Sequence, residues 1–187
     1  MLARFKKVRS GDGAGGIGVA LTFVRDDASV DVQRSGHGGF FAMHDLMHYA
    51  VETTLDIRDA FFGLVHSGWP LEAFSDHAHP LYRTLPTSAV VVEHLVAALS
   101  RAFEPGLGAD ADVLALSAEE VNAELTSTLG AARLPERSLS VPEVGAIFER
   151  FESLSRRWTD LEIGGSVEVE FPLPGAARRP VSRRPGS

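Results

Sequence analysis

The chain is expected to fold as a small α+β domain, and three features of its sequence lead there. Near the N-terminus, residues 19–24 and 29–33 meet across the polar run Arg25-Asp26-Asp27-Ala28, and the second arm alternates as a hairpin strand does. At the other end, Ser166-Val167-Glu168-Val169-Glu170-Phe171-Pro172 alternates strictly. Between them the apolar residues recur at helical spacing. The expected architecture is a small antiparallel sheet, made of the N-terminal strands plus the C-terminal strand, packed on about four helices with a long central helix.

Taken in order, residues 2–8 form the first strand. Gly11-Asp12-Gly13-Ala14-Gly15-Gly16 is a flexible connection to the second. It matches G-x-G-x-x-G in form, but that fingerprint must open a helix so that a pyrophosphate meets the helix N-terminus. Here a strand follows, so no dinucleotide is expected. Ser35-Gly36-His37-Gly38-Gly39 leads out of the sheet, and one unbroken helix is expected over residues 40–66, stopped by Gly68-Trp69-Pro70. A second helix covers 88–103, before Pro105-Gly106-Leu107-Gly108. Ser117-Ala118-Glu119-Glu120 reads as a capping box that opens a third helix ending near Gly130. Val141-Pro142-Glu143 opens a fourth, running to about Leu161. Residues 1–174 are expected to be a single globular domain and residues 175–187 a basic, disordered tail.

Composition narrows the functions. With 44% hydrophobic and 23% charged residues, the chain is ordinary for a globular domain. No apolar run approaches the ~20 residues that cross a membrane, and the basic N-terminus lacks the apolar block of a secretory signal. A cytoplasmic location is the expectation. There is no cysteine, so disulfides, thiolate ligands and thiol nucleophiles are excluded. The net charge of −7 is unevenly spread. Four of the 18 basic residues lie in 1–10 and four in 175–187, leaving 10 against all 25 acidic residues in between, a net −15. Nucleic acid is therefore an unfavoured partner.

The chemistry concentrates in His44-Asp45-Leu46-Met47-His48-Tyr49-Ala50-Val51-Glu52. Residues at i, i+4 and i+8 share one helix face, and two imidazoles one turn apart can chelate a single ion. With His44 as origin, Phe41, Val51 and Leu55 fall on the same side of the helix. Leu46, Ile57 and Leu64 gather opposite, so both sides should be covered. Glu52 lies ~12 Å from His44 along the axis, too far to join both histidines easily on one ion. It is expected as a further ligand, as a partner that orients His48, or as a catalytic carboxylate with Asp45. Of the residues that could complete the shell, His77 and His79 in Ser75-Asp76-His77-Ala78-His79-Pro80 come first. Glu93 and His94 come next, then His37 between its glycines. His66 would stand ~33 Å along an unbroken helix and is left out.

Three resemblances attach to these residues. His44-Asp45-Leu46-Met47-His48 resembles the His-Glu-x-x-His helix of zincin metallopeptidases over those five positions. That resemblance implies zinc held by His44 and His48, with Asp45 where zincins carry their general-base glutamate. His44-Asp45 is also similar to the dyad of the HD phosphohydrolases, although that family's pattern calls for a histidine on an earlier helix, where this chain reads as strands. The whole phrase HDLMHYAVE resembles small bacterial proteins to which no activity is attached, over the first third of the chain and the final strand.

Two classes of function follow. One is a metal-dependent enzyme, hydrolytic in type, with His44, His48 and Glu52 as ligands and His77 and His79 as additions. Zinc is the expected ion, with iron or manganese as alternatives, and the substrate a small molecule or peptide. The other is a non-catalytic structural or interaction domain whose histidines and carboxylates form a buried polar network.

Overall fold

Alternation sends Ala3 and Phe5, Leu21 and Phe23, and Val167 and Val169 to one face of a sheet, all nearly or fully buried. In the computed structural model, which describes residues 1–10, 16–107 and 110–172, these residues lie on strands β1 (Leu2–Arg9), β2 (Ile17–Val24) and β4 (Ser166–Glu170). With β3 (Val30–Ser35) they form a four-stranded antiparallel sheet in the order β3-β2-β1-β4. The C-terminal strand pairs with the first, Phe5 opposite Val167 and Ala3 opposite Val169. The β2–β3 turn closes with Arg25 N–H donating to Ser29 O (2.9 Å) and Ala28 N–H to Arg25 O (3.0 Å). The G-x-G-x-x-G run, apart from Gly16, lies outside the described residues, as does the basic tail.

The described residues also form six α-helices: α1 (Gly38–Thr54), α2 (Phe61–His66), α3 (Glu72–Ser75), α4 (Thr87–Ala102), α5 (Ala111–Ala132) and α6 (Val141–Thr159). None is long and apolar enough to cross a membrane. Helix α1 is central, as its two apolar faces required. It lies on β1 and β2 on one side and against α4 and α6 on others, while α5 packs on α4 and α6. Its Ala42, Leu46, Met47, Ala50 and Val51 are fully buried. The start of α1 is pressed onto the sheet at two glycines: a Cβ on Gly38 would stand 2.3 Å from the carbonyl carbon of Gly18. This contact fixes the helix above β2.

Two boundaries differ from expectation. The helix expected over 40–66 stops at Thr54. Asp56 adopts left-handed dihedrals (φ 53°) and Ile57 N–H donates back to Glu52 O (2.9 Å), the paired features of a Schellman stop. Aspartate tolerates that conformation without glycine, which is why no breaker was visible. Helix α5 begins six residues before Ser117, because the Asp110 side chain accepts from the amides of Asp112 and Val113. Ser117 is internal, its hydroxyl donating to Val113 O (3.0 Å). Among the described residues a capping box forms instead at α6, where Ser140 and Glu143 bond reciprocally.

Candidate metal centre

One turn of α1 separates His44 from His48, and their ring centroids stand 4.7 Å apart. Helix α4 packs across α1 and brings Glu93 to the same spot. His48 Nε2 lies 3.3 Å from Glu93 Oε1, and His44 Nε2 lies 3.8 Å from Oε2. One ligand atom from each residue lies within 4.8 Å of the others, so the three form a group that could hold a metal ion. Donors on one tetrahedral ion stand about 3.3 Å apart. The distances from Glu93 to the two Nε2 atoms, 3.3 and 3.8 Å, are close to that spacing.

The opposite edges of both rings face carboxylates. Asp45 Oδ1 is 3.3 Å from His44 Nδ1, and Glu52 Oε1 is 3.5 Å from His48 Nδ1. In His44, an Nδ1–H bonded to Asp45 leaves the Nε2 lone pair for an ion; His48 Nδ1 stands beside Glu52 and makes no hydrogen bond of its own. In both rings Nε2 is the nitrogen on the Glu93 side.

Glu52 stands behind this group rather than in it. Its side chain is fully buried, and its carboxylate accepts hydrogen bonds from the amides of Phe62 (3.0 Å) and Gly63 (3.3 Å). Those amides begin α2, whose own N-cap, Ala60, has no side chain with which to accept them. Glu52 thus caps α2 from α1 and reaches His48 with the same carboxylate. The approach is tight: a Cβ on Gly63 would stand 1.9 Å from Arg58 O.

His77 and His79, the leading additions by sequence, are not in the group. His77 is exposed and stacks on Tyr82 (centroids 4.4 Å apart), and His79 Nδ1 accepts from Leu81 N–H, capping the 3₁₀ turn Pro80–Thr84. His37 is exposed at the N-cap of α1. His66, on α2, pairs with Asp26 (2.7 Å). Of the second-rank residues, Glu93 joins the histidines and His94 does not.

Burial by itself pushes the His48 imidazole down, but the carboxylates of Glu52 and Glu93 outweigh it and carry its pKa from 6.5 to about 10. Partial burial opposes ionisation of Glu93, and His48 beside it outweighs that and holds its carboxyl below 4.5. In the metal-free protein His48 is therefore a cation between two carboxylates, with Asp45 and His44 one turn away. A raised folded-state pKa stabilises fully below the unfolded value and is lost as pH rises through the folded one. The metal-free protein is expected to lose roughly 2 kcal/mol between pH 6.5 and 10, a figure reduced for screening at the exposed Glu93. Urea denaturation across that range, compared with His48→Gln, measures it; a flat profile for the natural chain would contradict the pairing.

The group opens on a cleft of about 430 Å³ walled by Phe61, Phe74 and Tyr82, with Asp45 at its edge. Compared with protein-family models, curated proteins and solved structures, the chain matches none.

Proposed function

We propose that this protein binds a divalent metal ion through His44, His48 and Glu93 and uses it as a hydrolytic enzyme. The observation that carries the reading is the convergence of two Nε2 atoms on one exposed carboxylate, each ring backed at Nδ1 by a second carboxylate. Two imidazoles and a carboxylate suit zinc first, and such a set with open positions is the donor pattern of catalytic rather than structural zinc. The same set also suits ferrous iron and, less well, manganese. A divalent ion here would polarise a carbonyl and acidify water.

The chain's own residues divide the remaining work. Asp45 orients the His44 imidazole, and Glu52 places its charge beside that of His48. Asp45 also borders the cleft, within reach of a proton released there. The aromatic wall excludes water from one side of the ion. The substrate is a small molecule or a peptide end, since the cleft is too small for a folded partner.

The non-catalytic alternative draws on the same network, which is already ion-paired without metal. The two are separated by assaying zinc-, manganese- and iron-loaded protein against ester, amide and dipeptide substrates, beside Glu93→Gln. The enzyme reading expects turnover that a chelator abolishes and that Glu93→Gln lowers by at least 100-fold, of the order of losing one group that stabilises the transition state. Tight metal binding with no turnover, and unfolding when the metal is stripped, would favour a structural site.

A further inference from the structure

The two edges of the sheet are finished differently. In an antiparallel ladder every second residue turns its N–H and C=O away from its neighbour. On β4 these residues include Glu168 and Glu170, since Phe171 N–H bonds to Met1 O (2.9 Å) and Val169 stands opposite Ala3. Side chains take up their carbonyls: the Tyr49 hydroxyl donates to Glu170 O (2.9 Å) and Arg157 to Glu168 O (3.4 Å). Arg58 continues the line at Pro172 O. The β4 edge is thus closed by the protein's own donors.

The β3 edge is open. Arg25 N–H bonds to Ser29 O at the turn, so alternation directs Asp31 and Gln33 to β2 and leaves Val30, Val32 and Arg34 facing outward. Among the described residues no further backbone group bonds to this outward set. Val30 and Val32 are 54% and 52% exposed. A sheet edge is ordinarily protected by a proline, a bulge or an inward-facing charge. β3 has no proline and an unbroken register on β2. Its inward-facing charge, Asp31, is paired with Arg25, which is only 10% exposed.

We propose that β3 is a docking edge for a second copy of this chain, the two β3 strands pairing antiparallel about a two-fold axis at Val32 and joining two four-stranded sheets into one. The strand complements itself in this register. Val32 meets the partner's Val32, Val30 meets the partner's Arg34, and Asp31 meets the partner's Gln33. All three outward residues then pair, for about six backbone hydrogen bonds. On the outer face the Arg34 stem covers the partner's Val30. On the inner face the Gln33 amide can donate to the partner's Asp31. A slip of two residues sets Asp31 against the partner's Asp31 in one direction and Gln33 against the partner's Gln33 in the other. Either leaves fewer outward groups paired, and like charges directly opposite are unfavourable. A slip of one residue reverses the faces. The pairing does not depend on the metal reading.

The test uses the full chain, which has no cysteine of its own. In the proposed register the two copies of residue 32 stand about 5.5 Å apart at Cα, and the two copies of residue 30 about 14 Å apart. An ethylene-bridged thiol cross-linker should therefore join Val32→Cys into a dimer at least about tenfold faster than Val30→Cys. Sedimentation of the natural chain between micromolar and millimolar concentration should show a reversible monomer–dimer equilibrium. Val32→Pro removes an outward N–H and none from the β2 ladder, so it should weaken the dimer about tenfold or more with the far-ultraviolet spectrum unchanged. Val32→Lys, which sets like charges opposite each other, should do the same without touching the backbone. A monomer at millimolar concentration, equal cross-linking of the two cysteine variants, or a dimer indifferent to Val32→Lys would overturn the proposal. The monomer result would leave this edge to a strand of another protein.

Discussion

Glu52→Ala is expected to destabilise the protein by about 3–5 kcal/mol, the range for removing one partner from a buried charged pair. Two effects combine. The His48 imidazolium loses the carboxylate 3.5 Å from Nδ1 at a site only 2% exposed. The amides of Phe62 and Gly63 lose their acceptor in a fully buried pocket, and each orphaned donor costs ~1–3 kcal/mol. Domains of this size are stable by only ~5–15 kcal/mol, so the variant should sit near its unfolding threshold. Glu52→Gln keeps one acceptor oxygen for the α2 amides but cannot neutralise His48, so it should fall between wild type and alanine. Urea midpoints of the three proteins measure this. A loss below about 1 kcal/mol for Glu52→Ala would mean that α2 holds its place by its apolar contacts alone.

The second large effect concerns metal. His44→Ala/His48→Ala is expected to abolish measurable binding, because a lone exposed carboxylate is a weak ligand for zinc. Glu93→Gln should weaken binding by at least 100-fold while changing stability by less than about 1 kcal/mol, since the side chain is 58% exposed and its ion pairs are correspondingly screened. The separation is diagnostic: Glu52 variants lose stability first, whereas Glu93 variants lose metal first. Isothermal titration of zinc and thermal unfolding, run on the same preparations, distinguish them. Loss of metal and loss of fold in parallel across all variants would contradict the division of roles between the two glutamates.

Much of this arrangement was legible in the sequence, for specific reasons. Strict alternation in 166–172 placed β4 at the sheet, and its register against β1 follows from burying Val167 and Val169. The i, i+4 spacing put His44 and His48 on one face without reference to tertiary structure. Glu52 is different. Its spacing made it look like a continuation of the histidine row, and its work depends on the chain reversing after Thr54 so that the start of α2 returns to it. That reversal is made by Asp56 in a left-handed conformation, with no glycine or proline to announce it. Glu93 carried only a weak signal, an acidic residue on an amphipathic helix, because its meeting with the histidines is created by the packing of α4 on α1. His77 and His79 drew attention by their His-x-His spacing, but the local 3₁₀ turn and the Tyr82 ring account for them.

The most direct test of the metal centre is zinc titration of metal-stripped, tag-free protein by calorimetry, beside His44→Ala/His48→Ala. A single site per chain, present in the natural chain and absent in the double variant while its far-ultraviolet spectrum stays native, is the predicted result. Equal binding by the two proteins, or none by either with zinc, manganese or ferrous iron, would contradict a centre built on His44, His48 and Glu93.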